Sequence, residues 1–414
     1  MLVLVGRTRD ESRHRIGTKE KAPLDAAALG RVLAPFGRST TLPGEAYTSD
    51  EVFAWERRNF FDGGWVCVGR TDDLPSPGDR RALSVGTEGI ILSRDESGVL
   101  HAFYNVCRHR GHELVEPGTC VNSKVIKCPY HAWVYGADGS LRGAPHFGDV
   151  PDFDRKDYTL VEARLDQWHG WLFVNASGDG MDLSDYIGNL DEYVSDYEPE
   201  RLIRGARHEY VLDANWKIVH ENYHECYHCS NIHPELCQVT PPDSGENATP
   251  NGAWVGGSMD LMEHATTMSL TGESYGEMLR GLDERRRRQV FYFGLLPNLL
   301  ISLHPDYVLT HRIEPLAKGR SYIECEWLFA PESFDRADFD ATYASDFWDI
   351  TNLQDWSACE SVYKGVSSRG FRQGPLAVAE DAVYQFMTMV ARGYSGDDPR
   401  PADRHRWAPA GAEG

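Results

Sequence analysis

The sequence predicts an α+β fold, in which a small all-β domain precedes a larger domain with helices flanking an antiparallel sheet. Short β-type segments separated by Gly- and Asp-rich turns fill residues 65–175. Longer β-type runs follow between residues 289 and 330, and two segments with helical spacing of apolar residues come last. A chain of 414 residues is long enough to bury a large core in two domains.

The N-terminal half is expected to begin with a tail. Residues 1–44 are polar and rich in Pro, Gly and Arg, as are residues 396–414, which is typical of loosely packed termini. TSDEVFAWERRNFF predicts a short helix capped by Thr48 or Ser49. GIILSRDESGVLHAFYNV and AWVYGADGSLRG each predict two strands joined by a turn. The first domain is therefore expected over residues 45–190.

The second domain is expected over residues 191–395. A helix is predicted after Asp213, and QVFYFGLLPNLLISLHPDYVLTHRIEPL and RSYIECEWLFA predict long strands. DFWDITNLQDWSACESVYKG predicts a helix that ends at Gly365, and AVAEDAVYQFMTMVARGY predicts a closing helix.

Composition argues against nucleic-acid binding, membrane binding and secretion. The formal net charge of −21 disfavours nucleic acid and anionic membranes as partners. Nine cysteines are too few for a disulfide scaffold and indicate metal binding in a reducing compartment. The start MLVLVGRTRDESRHR is too short and wrongly ordered for a signal peptide, and no apolar run reaches the ~20 residues of a membrane span. The sequence predicts a cytoplasmic protein.

A first metal site is indicated by CRHRGHELVEPGTCVNSKVIKCPYH. Cys107-x-His109 is followed after eighteen residues by Cys128-x2-His131, and each pair comes after a predicted strand. A Rieske [2Fe–2S] centre needs two thiolates on one iron and two imidazoles on the other, which two mixed arms can supply. A structural zinc ribbon is the alternative, although its usual grouping pairs Cys with Cys and His with His.

His112 and Cys120 lie between these arms and are interpreted as bystanders that do not bind the cluster. A buried cysteine more often packs in a protein core than binds a metal. A Rieske cluster is a one-electron store with a potential of roughly −150 to +300 mV, so it is suited to feeding a second centre.

A second metal site is indicated by HENYHECYHCSNIHPEL. Glu225 and His228 are three residues apart and would share a helix face. His233 would point away on an unbroken helix, but Pro234 disfavours the α conformation of the residue before it. We therefore expect the helix to distort or end between His228 and His233, so that both can bind one ion.

Other ligand types in this stretch have competing interpretations. Cys226 and Cys229 form a CxxC pattern that would suit zinc or redox chemistry, but on a helix they would share a face with His228 only in part. His220 and His224 are interpreted as structural or pocket-lining residues.

Oxygen chemistry at non-heme iron typically uses two histidines and one carboxylate. Asp349, Asp355 and Glu360 compete for the third position. Asp355 shares a helix face with apolar residues, which is unusual for a charged side chain without a partner. Periodicity alone leaves all three open.

The two motifs resemble those of the Rieske non-heme iron oxygenase α subunits. CRHRGHEL and CPYHAWVY look like the cluster motif, and ENYHECYHCSNIH looks like the mononuclear iron motif. The resemblance spans roughly residues 45–395. It implies a Rieske domain followed by a helix-grip catalytic domain, with O2 as co-substrate and electrons from a separate NAD(P)H-dependent flavin and iron–sulfur reductase.

The resemblance also implies roles for individual residues. His228, His233 and Asp355 become the ligands of the mononuclear iron, and the QD…CE…G stretch favours Asp355 as the carboxylate. Glu225 becomes a bridge to the cluster ligand His131 of a neighbouring subunit in a ring-shaped homotrimer.

The substrate class follows from one departure from the commonest pattern. Ring-hydroxylating dioxygenases generally carry Asp where this chain has Glu225. Glu within ECYHC looks more like the oxygenases of quaternary ammonium compounds, such as glycine betaine monooxygenase and proline betaine demethylase. The resemblance therefore implies N-demethylation of a quaternary ammonium compound such as a betaine, with aromatic-ring hydroxylation as the alternative.

Candidate binding residues for such a cation are aromatic, because a quaternary ammonium donates no hydrogen bond and is held by ring faces. Trp254, Phe291 and Tyr292 are the candidates, with Met259 and Asp260 also within possible reach of the pocket.

The basic run ERRRRQV, at residues 284–290, is either a solvated turn or a docking patch for an acidic reductase or a substrate carboxylate. A non-enzymatic Rieske electron carrier is a remote alternative for the whole chain, since such a carrier has no use for the second motif.

Overall fold

The computed structural model describes residues 20–401, and residues 1–19 and 402–414 lie outside this range. The described chain begins with three short helices, α1 (Ala26–Val32), α2 (Glu45–Thr48) and α3 (Asp50–Glu56). The Ser49 hydroxyl accepts the N–H of Val52 and so caps α3, as the sequence predicts. One π-helical segment, Arg57–Asp62, continues α3 towards the first strand.

The described part of the predicted N-terminal tail is well packed, which corrects that expectation. Leu29, Val32 and Leu42 are fully buried. Phe36 stacks on Tyr384 of the C-terminal helix with ring centroids 4.8 Å apart. Its larger apolar side chains are mostly buried, which holds the segment against the rest of the chain.

Ten strands in three antiparallel sheets build the first domain, as expected from its turn-separated segments. Their bounds are β1 (Val66–Arg70), β2 (Asp79–Val85), β3 (Glu88–Arg94), β4 (Leu100–Tyr104), β5 (Cys120–Asn122), β6 (Val125–Lys127), β7 (Val134–Gly136), β8 (Leu141–Gly143), β9 (Arg164–Trp168) and β10 (Trp171–Asn175). The sheet orders are β1-β10-β9, β4-β3-β2-β5 and β6-β7-β8. The last of these packs on its own small core around Trp133 and Tyr135.

A seven-stranded antiparallel sheet of order β11-β17-β16-β15-β14-β13-β12 forms the centre of the second domain. Its strands are β11 (Ile203–Leu212), β12 (Glu246–Asn247), β13 (Trp254–Asp260), β14 (Gln289–Leu295), β15 (Leu299–Leu303), β16 (Tyr307–Ala317) and β17 (Arg320–Phe329). The run predicted as one long strand region is thus divided into β14, β15 and β16, because LPN and HPD form turns within it.

Seven further helices complete the chain: α4 (Leu183–Ile187), α5 (Asp191–Val194), α6 (Trp216–Tyr223), α7 (Cys229–Ile232), α8 (Leu236–Val239), α9 (Thr342–Val366) and α10 (Asp381–Tyr394). Helix α6 packs against both α9 and α10. The Lys217 ammonium lies 2.6 Å from a Glu56 carboxylate oxygen, and both side chains are fully buried. This ion pair joins α6 to α3 beneath the second predicted metal site.

Within residues 20–401, none of the helices combines the length and the apolar character that crossing a bilayer requires.

Candidate metal centres and the adjoining cavity

The four predicted cluster ligands lie in two loops next to the β6-β7-β8 sheet. In each loop a backbone N–H four residues on bonds to the cysteine carbonyl: Gly111 to Cys107 at 3.0 Å and Ala132 to Cys128 at 3.1 Å. Both of these later residues have positive φ, which turns the chain back on itself. Each loop therefore projects one thiol and one imidazole from a tight turn.

The donor set suits a Rieske cluster. Cys107 and Cys128 are buried side by side, and burial raises the pKa of the Cys107 thiol. The rings of His109 and His131 lie with centroids 4.5 Å apart, and the buried Nδ1 atom of His109 has no hydrogen-bond partner. A buried polar atom without a partner is costly unless a ligand satisfies it. Two thiolates and two imidazoles at one place match the needs of this cluster.

Cys120 lies outside this group. It is exposed on β5, where its Cα pairs with that of Arg81. His112 is also exposed, and its Nδ1 contacts the neighbouring Glu113 carbonyl. Both placements agree with their interpretation as bystanders.

The second predicted site brings two histidines and one carboxylate together. The ligand atoms of His228, His233 and Asp355 all lie within 4.8 Å of one another. The Asp355 Oδ1 atom is 2.9 Å from Nε2 of His233 and 3.4 Å from Nε2 of His228. Both Nε2 atoms thus point at the same carboxylate, which is the arrangement of a facial iron triad.

Each histidine of this triad is oriented through its other ring nitrogen. His233 Nδ1 lies 2.7 Å from the Gln354 side-chain oxygen, and His228 Nδ1 contacts the Glu225 carboxylate. An acceptor at Nδ1 places the proton there and leaves Nε2 free for a metal. The sequence reasoning missed Gln354, although it directly precedes Asp355.

The local backbone differs from the sequence prediction. Helix α6 ends at Tyr223, so Glu225 and His228 do not share a helix face. Instead, the Glu225 carboxylate accepts the backbone N–H groups of Tyr227 and His228, forming a capped turn before α7. The expected end of the helix before His233 is present, since His233 follows α7 with a non-helical backbone.

The competing carboxylates of α9 lie elsewhere. A Glu360 oxygen accepts the backbone N–H of Asp213 at 3.1 Å, and Asp349 accepts the Tyr210 hydroxyl. Asp355, in contrast, faces the two histidines. The Asn222 amide also donates to its Oδ1 atom at 3.0 Å.

The triad histidines and carboxylates stabilise each other's charged forms. Burial opposes protonation of His228, but the carboxylates of Asp355 and Glu225 outweigh it and raise its pKa to about 9. Burial likewise works against the Asp355 anion, yet the two histidines hold the pKa of this carboxyl below its usual value. In the absence of metal a proton therefore occupies the place of the cation, and metal binding must displace it.

Comparisons with known proteins agree with this geometry. A family profile for the ring hydroxylating alpha subunit (catalytic domain) matches residues 199–396, and one for the Rieske [2Fe-2S] domain matches residues 64–154. The glycine betaine monooxygenase oxygenase subunit of Chromohalobacter salexigens is 30% identical over 366 residues, covering 81% of each chain. This chain belongs to the Rieske oxygenase α subunits.

Further relatives of this Rieske oxygenase support the same membership. The carnitine monooxygenase oxygenase subunit of Escherichia coli K12 is 29% identical over 364 residues, covering 85% of this chain and 93% of the relative. The crystal structure of the quaternary ammonium Rieske monooxygenase CntA with γ-butyrobetaine has a TM-score of 0.72 at 26% identity, covering 91% and 99% of the two chains. Naphthalene 1,2-dioxygenase from Rhodococcus sp. shares the fold, with a TM-score of 0.72 at 21% identity over 90% and 98%.

Family membership makes the chain an oxidoreductase that acts on a small molecule with O2, through a Rieske cluster and a mononuclear iron. It excludes the electron-carrier alternative, because the catalytic domain is present.

A cavity of about 620 Å³ adjoins the histidine–aspartate triad of this oxygenase. Of the aromatic candidates, only Tyr292 lines it. Trp254 and Phe291 lie elsewhere: both are buried and pack around Tyr193, with ring centroids 5.8 and 6.0 Å from it. Neighbouring residues of a strand point to opposite faces, so Phe291 and Tyr292 cannot share a surface.

Tyr223 and Trp348, which the sequence did not single out, also line the cavity. Their ring centroids lie 6.0 and 6.2 Å from that of Tyr292. The Tyr223 hydroxyl contacts the Ser302 hydroxyl and the Trp348 indole N–H donates to the Tyr307 hydroxyl, both at 2.8 Å. These polar atoms are thus engaged away from the cavity.

The contacts of the other candidate residues show which of them face the cavity. Met259 lines it, whereas the Asp260 carboxylate accepts the Gln289 amide. His220 is fully buried, bonds to the Pro297 carbonyl and is kept neutral by burial, which lowers its pKa to about 3. His224 is buried in the cavity wall.

Cys226 and Cys229 form a disulfide that closes the turn between Glu225 and His228. The two cysteines do not share a helix, because Cys226 precedes α7 and Cys229 begins it. A covalent link across this turn restrains the chain between the Glu225 carboxylate and the first histidine of the triad.

The basic run is not an open docking patch. Arg286 pairs with Asp196, and Arg287 donates to the carbonyls of Leu282 and Leu279. Arg288 donates to the carbonyls of three residues: Leu261, Met262 and Ala265. Arg285 and Arg288 remain exposed, and the Arg285 guanidinium lies 3.7 Å from a Glu246 carboxylate oxygen. Most of the run therefore fastens loops around the β13–β14 edge.

Proposed function

We propose that this oxygenase hydroxylates an N-methyl group of a quaternary ammonium compound. Hydroxylation of the methyl carbon gives a hemiaminal, whose C–N bond breaks to release formaldehyde and the demethylated amine. The proposal rests on three neighbouring aromatic side chains in the wall of the cavity beside the triad: Tyr223, Tyr292 and Trp348. Ring faces attract a desolvated ammonium by up to ~2 kcal/mol each.

The names of the relatives support the same substrate class. Glycine betaine and carnitine monooxygenase subunits cover most of this chain, and both of the substrates named carry a trimethylammonium group. The cavity wall is also acidic, since the carboxylates of Glu225, Asp243 and Asp355 lie in it.

Within this proposal the protein residues have distinct roles. The cluster is held by Cys107, His109, Cys128 and His131. The mononuclear iron is held by His228, His233 and Asp355. When bound, the two groups supply one-electron transfer and O2 activation. Gln354 and Glu225 accept the Nδ1 protons of the triad histidines, which fixes both rings with Nε2 towards the metal.

We assign Glu225 a second role, as the bridge between two subunits of a homotrimer. A carboxylate has two oxygens and can serve two imidazole donors, here His228 and the neighbouring subunit's His131. Exposed apolar residues near each site support a subunit contact there: Tyr227 and Val378 beside the cavity, and Val106 and Tyr130 beside the cluster loops. We also propose that the electrons come from a separate NAD(P)H-dependent reductase and that the enzyme is cytoplasmic.

Formaldehyde release tests the proposed reaction. The iron-loaded enzyme, supplied with NADH and a compatible reductase, is offered quaternary ammonium compounds and aromatic acids, and formaldehyde is measured against NADH consumed. We expect one formaldehyde per NADH with at least one ammonium compound. Hydroxylation of an aromatic acid without formaldehyde from any ammonium compound would establish the ring-hydroxylating alternative instead.

A pair of neighbouring variants tests the aromatic wall. Tyr292→Leu removes a ring from the cavity, and we expect KM for the ammonium substrate to rise about tenfold with a smaller change in kcat. Phe291→Leu removes a ring from the adjacent position of the same strand, on the face that packs around Tyr193. An equal rise in KM in both variants would show that the effect is structural and would remove Tyr292 from the binding site.

A further inference from the structure

Apart from the histidines, the side chains of the cavity wall that carry a charge are all acidic. They are Glu225, Asp243 and Asp355, and no lysine or arginine is among the described residues that line it. Glu225 and Asp355 are engaged with the triad histidines. The Asp243 carboxylate is exposed at the edge of the cavity and has no ion pair or hydrogen bond within residues 20–401. One negative charge of the cavity is therefore not used by the metal site.

The arginines nearest in the sequence to the cavity strands are committed elsewhere. Arg286 pairs with Asp196, while Arg287 and Arg288 bond to backbone carbonyls. None of the run from Arg285 to Arg288 lines the cavity. The run therefore gives no counter-ion to a substrate carboxylate.

The remaining polar groups of the wall are uncharged. Burial lowers the pKa of His224 well below its usual value, so this imidazole stays neutral at physiological pH. Ser258, Thr351 and Asn247 add hydroxyl and amide groups. Such groups can bond to an alcohol, ester or amide, but they do not neutralise an anion.

From this wall we infer that the cavity selects quaternary ammonium cations whose other polar group is uncharged, and discriminates against betaines. The inference rests on the proposed N-methyl hydroxylation. Because the reacting methyl must lie at the triad, the far end of the substrate meets the rest of the wall, where Asp243 is located. A carboxylate there finds no lysine or arginine to pair with and is repelled by a like charge. Asp243 instead attracts a second positive or dipolar end of the substrate.

Binding of three matched compounds tests the inference. Choline, glycine betaine and glycine betaine amide share the trimethylammonium group, and the amide differs from the betaine chiefly in lacking the carboxylate charge. Calorimetric titration of the iron-loaded enzyme without O2 measures each Kd independently of turnover. We expect choline and the amide to bind at least about tenfold more tightly than glycine betaine, a difference of about 1.4 kcal/mol. Equal or tighter binding of glycine betaine would overturn the inference.

The role of Asp243 has its own test. In the D243K variant we expect the ratio of the Kd values of betaine and amide to shift at least about fivefold in favour of the betaine. The matched control is E96K, which makes the same charge change in the exposed β3–β4 turn of the first domain and should leave the ratio unchanged. An unchanged ratio in D243K with normal iron content and cluster spectrum would overturn the assignment of Asp243.

The outcomes separate this inference from the proposed function. If glycine betaine binds best and releases formaldehyde, only the discrimination against carboxylates is overturned. If none of the three compounds binds and an aromatic acid is hydroxylated, the proposed function is overturned, and the inference with it.

Discussion

The two metal sites of this oxygenase are built by the chain in opposite ways. The four cluster ligands come from two loops within residues 107–131, close to the surface. The triad joins His228 and His233 to Asp355, which follows more than a hundred residues later on α9. The cluster loops carry exposed side chains such as Tyr130, whereas the His233 side chain is only 2% exposed.

The difference reflects what each site must do. A cluster that passes electrons between proteins has to lie near the surface, so short loops on a small sheet are sufficient to hold it. A site that directs oxygen chemistry at one carbon must exclude water and orient its substrate, which requires walls from several distant elements. The cost of the second design is that its parts come together only when the whole domain folds.

Loss of the triad carboxylate should have the largest effect. We expect Asp355→Ala to lower mononuclear iron content and to reduce turnover by about 10³-fold or more, with the cluster spectrum intact, because the cluster loops belong to a separate core. Iron analysis, cluster absorbance and formaldehyde assays measure these. Glu360→Ala, on the same helix, is the control and should keep its iron. The reverse result would assign the ligand to Glu360.

Loss of a cluster imidazole should reduce turnover nearly as much as loss of the triad carboxylate. It should remove the cluster signal and leave the mononuclear iron, which is the reverse of the Asp355→Ala result. His131→Ala is expected to abolish the Rieske electron paramagnetic resonance signal and multiple turnovers, while about one iron per chain remains. His112→Ala changes an exposed histidine of the neighbouring loop and should retain the signal. A wild-type protein holding one zinc and no acid-labile sulfide would contradict the cluster assignment altogether.

The bridge between the sites should affect rate more than composition. Glu225→Gln keeps length but loses charge and one acceptor, so we expect both metal centres to remain and electron transfer to slow by about 10- to 100-fold. Mixing the pre-reduced cluster with O2 and substrate in a single turnover reports this step directly. Reoxidation at the wild-type rate would exclude Glu225 from the electron path.

Gln354 should have a smaller effect, confined to the triad. Gln354→Ala removes the acceptor of the His233 Nδ1 proton, and we expect iron affinity to fall about tenfold with no change in the cluster. A chelator competition assay measures the affinity. Gln289→Ala alters a glutamine that bonds to Asp260 instead, so it serves as the control. Similar losses in both variants would point to general destabilisation.

The smallest expected effect is on stability and concerns Glu221, a half-buried acid of α6. Burial raises the pKa of Glu221 to about 8, so folding favours its neutral form. The stability due to this preference is fully present below the unfolded-state pKa near 4.5 and is lost as the pH rises towards 8.

Because Gln stays neutral throughout this range, we expect Glu221→Gln to match the wild type at pH 5 and to be more stable by about 1–2 kcal/mol at pH 8 to 9. Denaturant titrations at the two pH values measure the free energy of unfolding. Glu192→Gln, on the exposed face of α5, should show no such pH dependence. The same pH dependence in both variants would show that the pKa of Glu221 is not the cause.

The sequence by itself determined the fold class, the strand pairs of the first domain and the two metal motifs. These features depend on near neighbours: turns of a few residues join β3 to β4 and β7 to β8, and each cluster arm is complete within five residues. The sequence was also sufficient to predict that His228 and His233 lie close together, because Pro234 disfavours a helical conformation at His233.

Only the tertiary structure decided which carboxylate and which aromatic residues surround the second site. Periodicity placed Asp349, Asp355 and Glu360 on one helix but gave no information on which of them faces α7, because that depends on packing between α6 and α9. The same limit explains Trp254 and Phe291, whose strand faces could not be assigned without knowing on which side of the sheet the helices lie. Contacts across a hundred residues are set by the burial of whole surfaces, and local sequence patterns do not encode them.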